Sequence, residues 1–447
     1  MRPAGDEHDV MTRVGQPATD GPADGSGAQH DVTHLPILPG RCQNRFVTVL
    51  DDARGLQDDL VQLRRALHRE PELGLTLPRT QERVLAALDG LPVEVSTGSS
   101  LSSVTAVLRG GAGDSAAAGR RSVLLRGDMD ALPVAERVPV AFAATGDTMH
   151  ACGHDLHTSM LVGAARLLSA HQDRLAGDVV FMFQPGEEGF DGARHMVEEG
   201  VLDATGRRVD SALALHVTSG MLPRGLFATR PGPVMSAADV LRVTVRGAGG
   251  HGSSPHRAKD PIPAACEMVT ALQTFVTRRF DVFDPVIITI GAFHAGTQHN
   301  VIPDTAYFEA TVRSFSRAAH EQVLAESVRV CQGVAAAHGL DVDAVADELY
   351  PVTVNDATAV LDVQSMVRDV HGEERFVVLP NPVAGSEDFS RVLDEVPGAM
   401  VFLGATATDR DPATAPFNHS PQAAFDDAVL ADGVALYAEF ALRRLAG

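Results

Sequence analysis

Three features of the sequence predict an α/β fold with a mixed, largely parallel sheet and a smaller α+β unit inserted into it. Continuous apolar runs at 122–128, 178–184 and 212–217 alternate with helical segments, as expected of strands covered on both faces. The run 241–246 instead alternates strictly, Leu241, Val243 and Val245 against Arg242, Thr244 and Arg246, which marks a sheet with one wet face. Around that run the segments follow the order β-α-β-β-α-β of the ferredoxin-like motif.

The elements follow in chain order. Residues 1–44 are rich in Gly, Pro and Asp and lack apolar periodicity, so a disordered or loosely attached tail is expected. Leu56, Leu60, Leu63 and Leu67 then recur at helical spacing, with Asp58, Asp59, Arg64 and Arg65 assigned to the solvated face; Pro71 and Gly74 end the helix. Strand 122–128 precedes a helix over 157–171, buried along Met160, Leu161, Ala164, Leu167 and Leu168. Strands 178–184 and 212–217 follow. In the inserted unit, strand 241–246 leads to a helix with Cys266, Val269, Leu272 and Val276 inward, strands 286–293 and 305–315, helix 317–338 and strand 341–350. Strand 399–405 resumes the first pattern. The predicted organisation is a tail at 1–44, a catalytic domain in two parts at 45–234 and 351–447, and the inserted unit at 235–350.

Composition narrows the partners. The 447 residues suit two or three domains, and a net charge of −21 disfavours nucleic acid and anionic membrane surfaces. There is no apolar run of 18 residues to span a bilayer, and the N-terminal segment lacks a basic-then-apolar signal pattern. The four cysteines, Cys42, Cys152, Cys266 and Cys331, are far apart, which suits a reducing cytoplasm.

Candidate chemistry collects where strands end and helices begin, the place where open α/β folds bind ligands. Asp128 and Asp130 come at the end of the first strand; alone they read more readily as a solvated loop. Between His150 and His157, five of eight residues can bind metal, and Gly153 lets Cys152 and His154 turn toward one ion. Glu187 and Glu188 follow the 178–184 strand, where adjacent carboxylates suit distinct roles, one as metal ligand and one in proton transfer; an acidic helix N-terminus is the plain alternative. His216 ends its apolar strand and His419 lies in NHSP, each a weak signal by itself. Together, Cys152, His154, Glu188, His216 and His419 exceed the three protein ligands of one catalytic zinc. They suit two divalent ions about 3.5–4 Å apart with one shared ligand, zinc or manganese first and cobalt or nickel as further options.

The motifs LHREPELG (67–74), RGDMDALPVAE (126–136), MHACGHDLHT (149–158), FQPGEEG (184–190), LALHV (213–217), GGHGSSPH (249–256), AGTQHNVIPD (295–304), GSEDF (385–389) and NHSPQAAFDD (418–427) occur in the order seen in one known family. The chain resembles the metal-dependent amidohydrolases of the hippurate hydrolase and auxin-conjugate hydrolase branch of the aminoacylase–carboxypeptidase G2 metallopeptidase family, from about residue 56 to the C-terminus. The resemblance implies a zinc-peptidase-like catalytic domain with an inserted ferredoxin-like lid or dimerisation domain. It implies Cys152, with a bridging role, His154, Glu188, His216 and His419 as metal ligands, Glu187 as general base and Asp130 as a supporting carboxylate. It also implies that His251 reaches the active site across a homodimer interface. The implied substrate is a small N-acyl amino acid cleaved at its amide bond, and Asn300 and Arg313 are candidates to receive its carboxylate. A dipeptidase or exopeptidase acting through the same dinuclear site is the alternative. The sequence departs from the family pattern at LTLP (75–78), Leu156 and His299, which leaves every proposed ligand in place.

Overall fold

The computed structural model describes residues 48–112 and 119–446; the tail expected at 1–44 lies outside the described residues. An eight-stranded sheet runs in the order Val93–Thr97, Val104–Leu108, Asp178–Gln184, Ser122–Asp128, Ser211–Thr218, Gly398–Gly404, Phe227–Thr229 and Phe376–Val378. Its four central strands are mutually parallel. Every residue of Asp178–Gln184 is buried because the strand serves two cores. Val179, Phe181 and Phe183 pack on one face, and Val180 and Met182 on the other. The continuous apolar runs of the sequence therefore have the expected cause.

The second sheet has the order Val286–Ala295, Thr305–Ser314, Ala238–Arg246 and Asp341–Tyr350, antiparallel throughout. Helices Pro261–Arg279 and Arg317–Ala337 cover one face around Leu241, Val243, Val245, Phe308 and Val312. The strict alternation at 241–246 is reproduced residue by residue, with Arg242 and Arg246 exposed. This is the ferredoxin-like arrangement anticipated for an inserted unit.

Three details depart from the sequence reading. Helix His154–Ala170 starts three residues earlier than expected. It is buried around most of its circumference and not along one stripe, because it lies between the sheet and helices Gln57–His68, Pro78–Leu88 and Leu430–Leu445. In helix Pro261–Arg279, Cys266 is exposed; the core stripe is Ala264, Ala265, Met268, Leu272 and Phe275, and the small alanines bring the helix close to the sheet. Arg64, assigned to solvent, is 1% exposed.

Arg64 is buried because it joins three distant elements. Its guanidinium lies 2.7 Å from Asp155 and 3.0 Å from Asp427, and stacks over Phe142 at 4.8 Å. His68 Nδ1 also meets Asp155, at 2.7 Å, and His68 Nε2 meets Glu136 at 3.1 Å. Burial opposes a charge on Asp155, but the Arg64 charge, then that of His68, outweighs it and holds the carboxyl below its usual range. A carboxyl with a depressed folded value stabilises in full above its unfolded value, ~3.9, and loses that contribution as pH falls. Replacing Arg64 by Ala strands a buried carboxylate and should cost about 3–5 kcal/mol in urea unfolding at pH 7, a deficit that narrows below about pH 4. An unchanged midpoint and slope would refute this role.

Candidate metal centre

The site occupies a break in the main sheet. Strands Ser122–Asp128 and Ser211–Thr218 pair only from Val123 with Ser211 to Arg126 with Ala214. Beyond that register the strands part, and their freed backbone groups must find other partners. Leu215 N–H donates to Tyr437 Oη at 3.0 Å, and Val217 N–H to His157 Nε2 at 2.7 Å. His157 Nδ1 in turn lies 2.6 Å from Asp128, so this ring props the strands apart and is not available to a metal. The crevice opens at the carboxyl ends of the parallel strands, as open α/β sheets require.

The sequence-predicted donors converge on it. Gly153 has φ +88°, and a Cβ there would lie 2.3 Å from Val217 Cγ2, so only glycine allows the bend between Cys152 and His154. Cys152 Sγ lies 3.4 Å from His216 Nε2. His216 Nδ1 donates to the Val217 carbonyl at 2.9 Å, which leaves Nε2 free to act as a ligand. His419 Nε2 lies 3.1 Å from Glu188 Oε1. The donors form overlapping trios, Cys152–His154–His216, Cys152–Glu188–His419 and His154–Glu187–Glu188, the ligand atoms of each within 4.8 Å of one another. Cys152 belongs to the two trios that hold the other ligand candidates. Both His154 ring nitrogens are buried without a hydrogen-bond partner, which is costly unless a cation meets them. Thiolate, imidazole and carboxylate at these separations fit a pair of divalent ions.

Electrostatics agree. Burial opposes protonation of His154, but Asp128 overcomes it and raises its pKa. Burial, then His157, lowers that of His216, which keeps the ring neutral. Hydrogen bonds to Cys152 and Glu188 raise the pKa of His419 to about 10. Burial pushes the Glu187 carboxyl up, reinforced by Glu387 and Glu188. Asp130 accepts the backbone N–H groups of Glu187 and Glu188, each at 3.0 Å, and so orients both carboxylates.

A cavity of ≈ 520 Å³ opens from Cys152, Glu187, Glu188, His216 and His419. Met235, Leu349, Val383, Phe402 and Phe417 give it an apolar wall, and Arg313 is the one arginine or lysine among its described lining residues. Arg313 Nη1 is buried without a partner. His251 and Asn300 are not brought to this cavity within one chain. They sit side by side on the exposed ribbon of Gly250–His251 and Val301–Ile302, where Gly252 N–H donates to Asn300 O at 2.8 Å.

Two sets of residues escaped the sequence reading. Asn418 ties the last segment down, donating to the carbonyls of Cys152 at 3.2 Å and Val217 at 3.0 Å; its place beside His419 was the only cue. Glu387 and Asp388, in the GSEDF motif to which no role was assigned, pair beneath the site with Arg126 at 2.8 and 3.0 Å.

Comparison with known proteins agrees with the resemblance carried by the motifs. The profile described as peptidase family M20/M25/M40 matches residues 124–443. A thermostable carboxypeptidase of Saccharolobus solfataricus is 35% identical over 398 residues, covering 88% of this chain and 97% of its own. An IAA-amino acid hydrolase of Arabidopsis thaliana is 35% identical over 400 residues, 87% of this chain and 86% of its own. An N-acetyl-L-cysteine deacetylase of Bacillus subtilis is 34% identical over 358 residues, 80% and 82% of the two chains. Among solved structures, an aminohydrolase from methicillin-resistant Staphylococcus aureus superposes with a TM-score of 0.82 at 30% identity, covering 89% of this chain and 99% of that one. A dinuclear metal-binding peptidase of the M20 family from Bacillus subtilis gives 0.74 at 30% identity, covering 88% and 99%. The chain belongs to peptidase family M20/M25/M40.

Proposed function

We propose that this protein hydrolyses the amide bond of N-acyl amino acids, releasing a carboxylic acid and a free amino acid. The observation that carries this reading is the overlap of the donor trios around Cys152 and His154, with Glu187 beside them at the floor of a cavity that combines an apolar wall with one arginine. Relatives named for N-acyl amino acid substrates support it. Cys152, His154, Glu188, His216 and His419 would hold two divalent ions, zinc or manganese, with the thiolate shared. When bound, such ions lower the pKa of water and polarise a carbonyl.

The remaining steps fall to the chain itself. Glu187, buried and with a raised carboxyl pKa, takes a proton from the attacking water and returns it to the leaving amine. Asp130 holds the backbone of Glu187 and Glu188 in place. The apolar wall seats the acyl group, and Arg313 receives the carboxylate. His251 and Asn300 would complete the site from a second copy, through a homodimer built on the unit at 235–350, between the catalytic parts 45–234 and 351–447. Cys152, Cys266 and Cys331 are free thiols, which favours the cytoplasm. Among the described residues no helix is long and apolar enough to cross a membrane. The alternative of an exopeptidase has the weaker support, a relative named as a carboxypeptidase; competition between N-benzoyl amino acids and plain dipeptides separates the two.

Glu187→Gln should keep the bound metal, measured by elemental analysis, and lower kcat by about 10²- to 10⁴-fold; near-normal turnover would remove it as the base. Arg313→Met should raise KM for N-acyl amino acids about tenfold or more while kcat changes less, and a KM unchanged against wild type would free the arginine from this role. Mixing a His251→Ala protein with a Glu187→Gln protein should restore part of the activity as subunits exchange. No recovery despite demonstrated exchange would mean that each site is built within one chain.

A further inference from the structure

The turn that carries Glu187 and Glu188 is held from two sides. Asp130 binds the N–H groups of both glutamates, as described above. The opposite side is met by Tyr350, the last residue of strand Asp341–Tyr350 in the second sheet. Tyr350 is 6% exposed, and its hydroxyl donates to the Glu187 carbonyl at 2.6 Å while accepting the Gly189 N–H at 2.7 Å. Gly189 N–H otherwise reaches only back to Glu187 O, at 2.8 Å, a bond between residues two apart that cannot fix a turn well alone.

A second tie follows the same route. Arg391 grips Asp191 with two nitrogens, at 3.2 and 2.9 Å, and reaches the Leu349 carbonyl at 2.8 Å and Glu348 at 3.3 Å. Asp191 has φ +53°, an uncommon backbone state that needs such support. Both ties meet the strand where it leaves the second sheet, since Tyr350 pairs with Ala238 at the end of that ladder after a register shift. The turn therefore takes its position from the main sheet through Asp130 and from the second sheet through Tyr350.

We propose that Tyr350 is a positioning residue for the reaction: its hydroxyl couples the placement of the inserted unit to the orientation of the Glu187 carboxylate. The inference rests on the reading of Glu187 as the base. Tyr350 is among the residues that line the cavity, but its hydroxyl is bonded to the backbone of the turn, and it acts through that backbone. A small displacement of a base is costly to rate and nearly silent in binding.

The test is Tyr350→Phe, which removes one oxygen and keeps the ring. The expected result is a fall in kcat of about 10- to 100-fold with KM within about twofold, on N-acetyl- and N-benzoyl-amino acids. Bound metal should stay at the wild-type level. Hydrogen–deuterium exchange should quicken in the 186–192 segment and not in strand Ser122–Asp128, the internal control for folding. Wild-type kcat with unchanged exchange overturns the proposal, as does a rate loss fully matched by lost metal. Should the variant not fold, Arg391→Gln frees Asp191 from the same strand end. A lowered kcat at full metal content then supports the coupling, and an unchanged kcat overturns it. Wild-type turnover in Glu187→Gln would sink the assignment of the base itself, whereas wild-type turnover in Tyr350→Phe sinks only the positioning role.

Discussion

One buried guanidinium makes the centre of this protein possible. Arg126 has no exposed side-chain surface and meets Asp128 at 2.6 Å, Glu387 at 2.8 Å and Asp388 at 3.0 Å, while its Nε donates to Gln184 at 2.8 Å. Three carboxylates buried together repel one another and lose their hydration, at a cost of several kcal/mol per ion. Only a planar cation with five fixed donors can answer them all from one point. Burial opposes its charge, but Asp128, Glu387 and Asp388 keep its pKa well above normal. Gln184 and the Ala193 N–H complete the shell of Asp388. The ends of two central strands, the 385–390 turn and the start of helix Gly192–Glu198 are thus tied together directly beneath the metal centre. Asp128, fixed in this way, fixes His157, and His157 keeps strands Ser122–Asp128 and Ser211–Thr218 apart.

What the sequence made legible was local. A strand buried on both faces writes a continuous apolar run, and a half-wet strand writes an alternation, so 178–184 and 241–246 announce themselves. Cys152, His154, Glu187 and Glu188 stand out because strand ends and helix starts place them together within short segments. What stayed hidden depends on contacts across long sequence distances. Arg64 looks like a solvent residue on a helical wheel until Asp427, 363 positions away, meets it. Arg126 reads as the charged end of a strand, and GSEDFS as a turn, until each is seen to neutralise the other. Cys266 fails for a different reason: adjacent helical stripes both carry apolar residues, and the choice between them is made by the small size of Ala264 and Ala265 against the sheet. Tyr350 gave no signal, since its role is carried by one oxygen bonded to backbone.

The candidate ligands differ in how firmly they are held. His154 starts a buried helix and His216 lies within a central strand, so their geometry is set by regular, buried elements. His419 is the exception. It lies in an exposed stretch at φ +72°, a conformation that costs of order 1–3 kcal/mol for a residue with a side chain. It is kept there by its own N–H on the Ala151 carbonyl at 2.9 Å and by the side chain of Asn418, which also accepts the Ser219 N–H at 2.9 Å. The strained residue is therefore anchored to the Cys152 segment on one side and to the His216 strand on the other. Its ring meets Glu188 at 3.1 Å, and hydrogen bonds to Cys152 and Glu188 raise its pKa to about 10. Burial, then the neighbouring His157, acts the other way on His216 and lowers its pKa. Two candidate donors beside one cysteine are therefore pushed in opposite directions, the exposed ring by its hydrogen-bonded neighbours and the buried strand residue by loss of hydration.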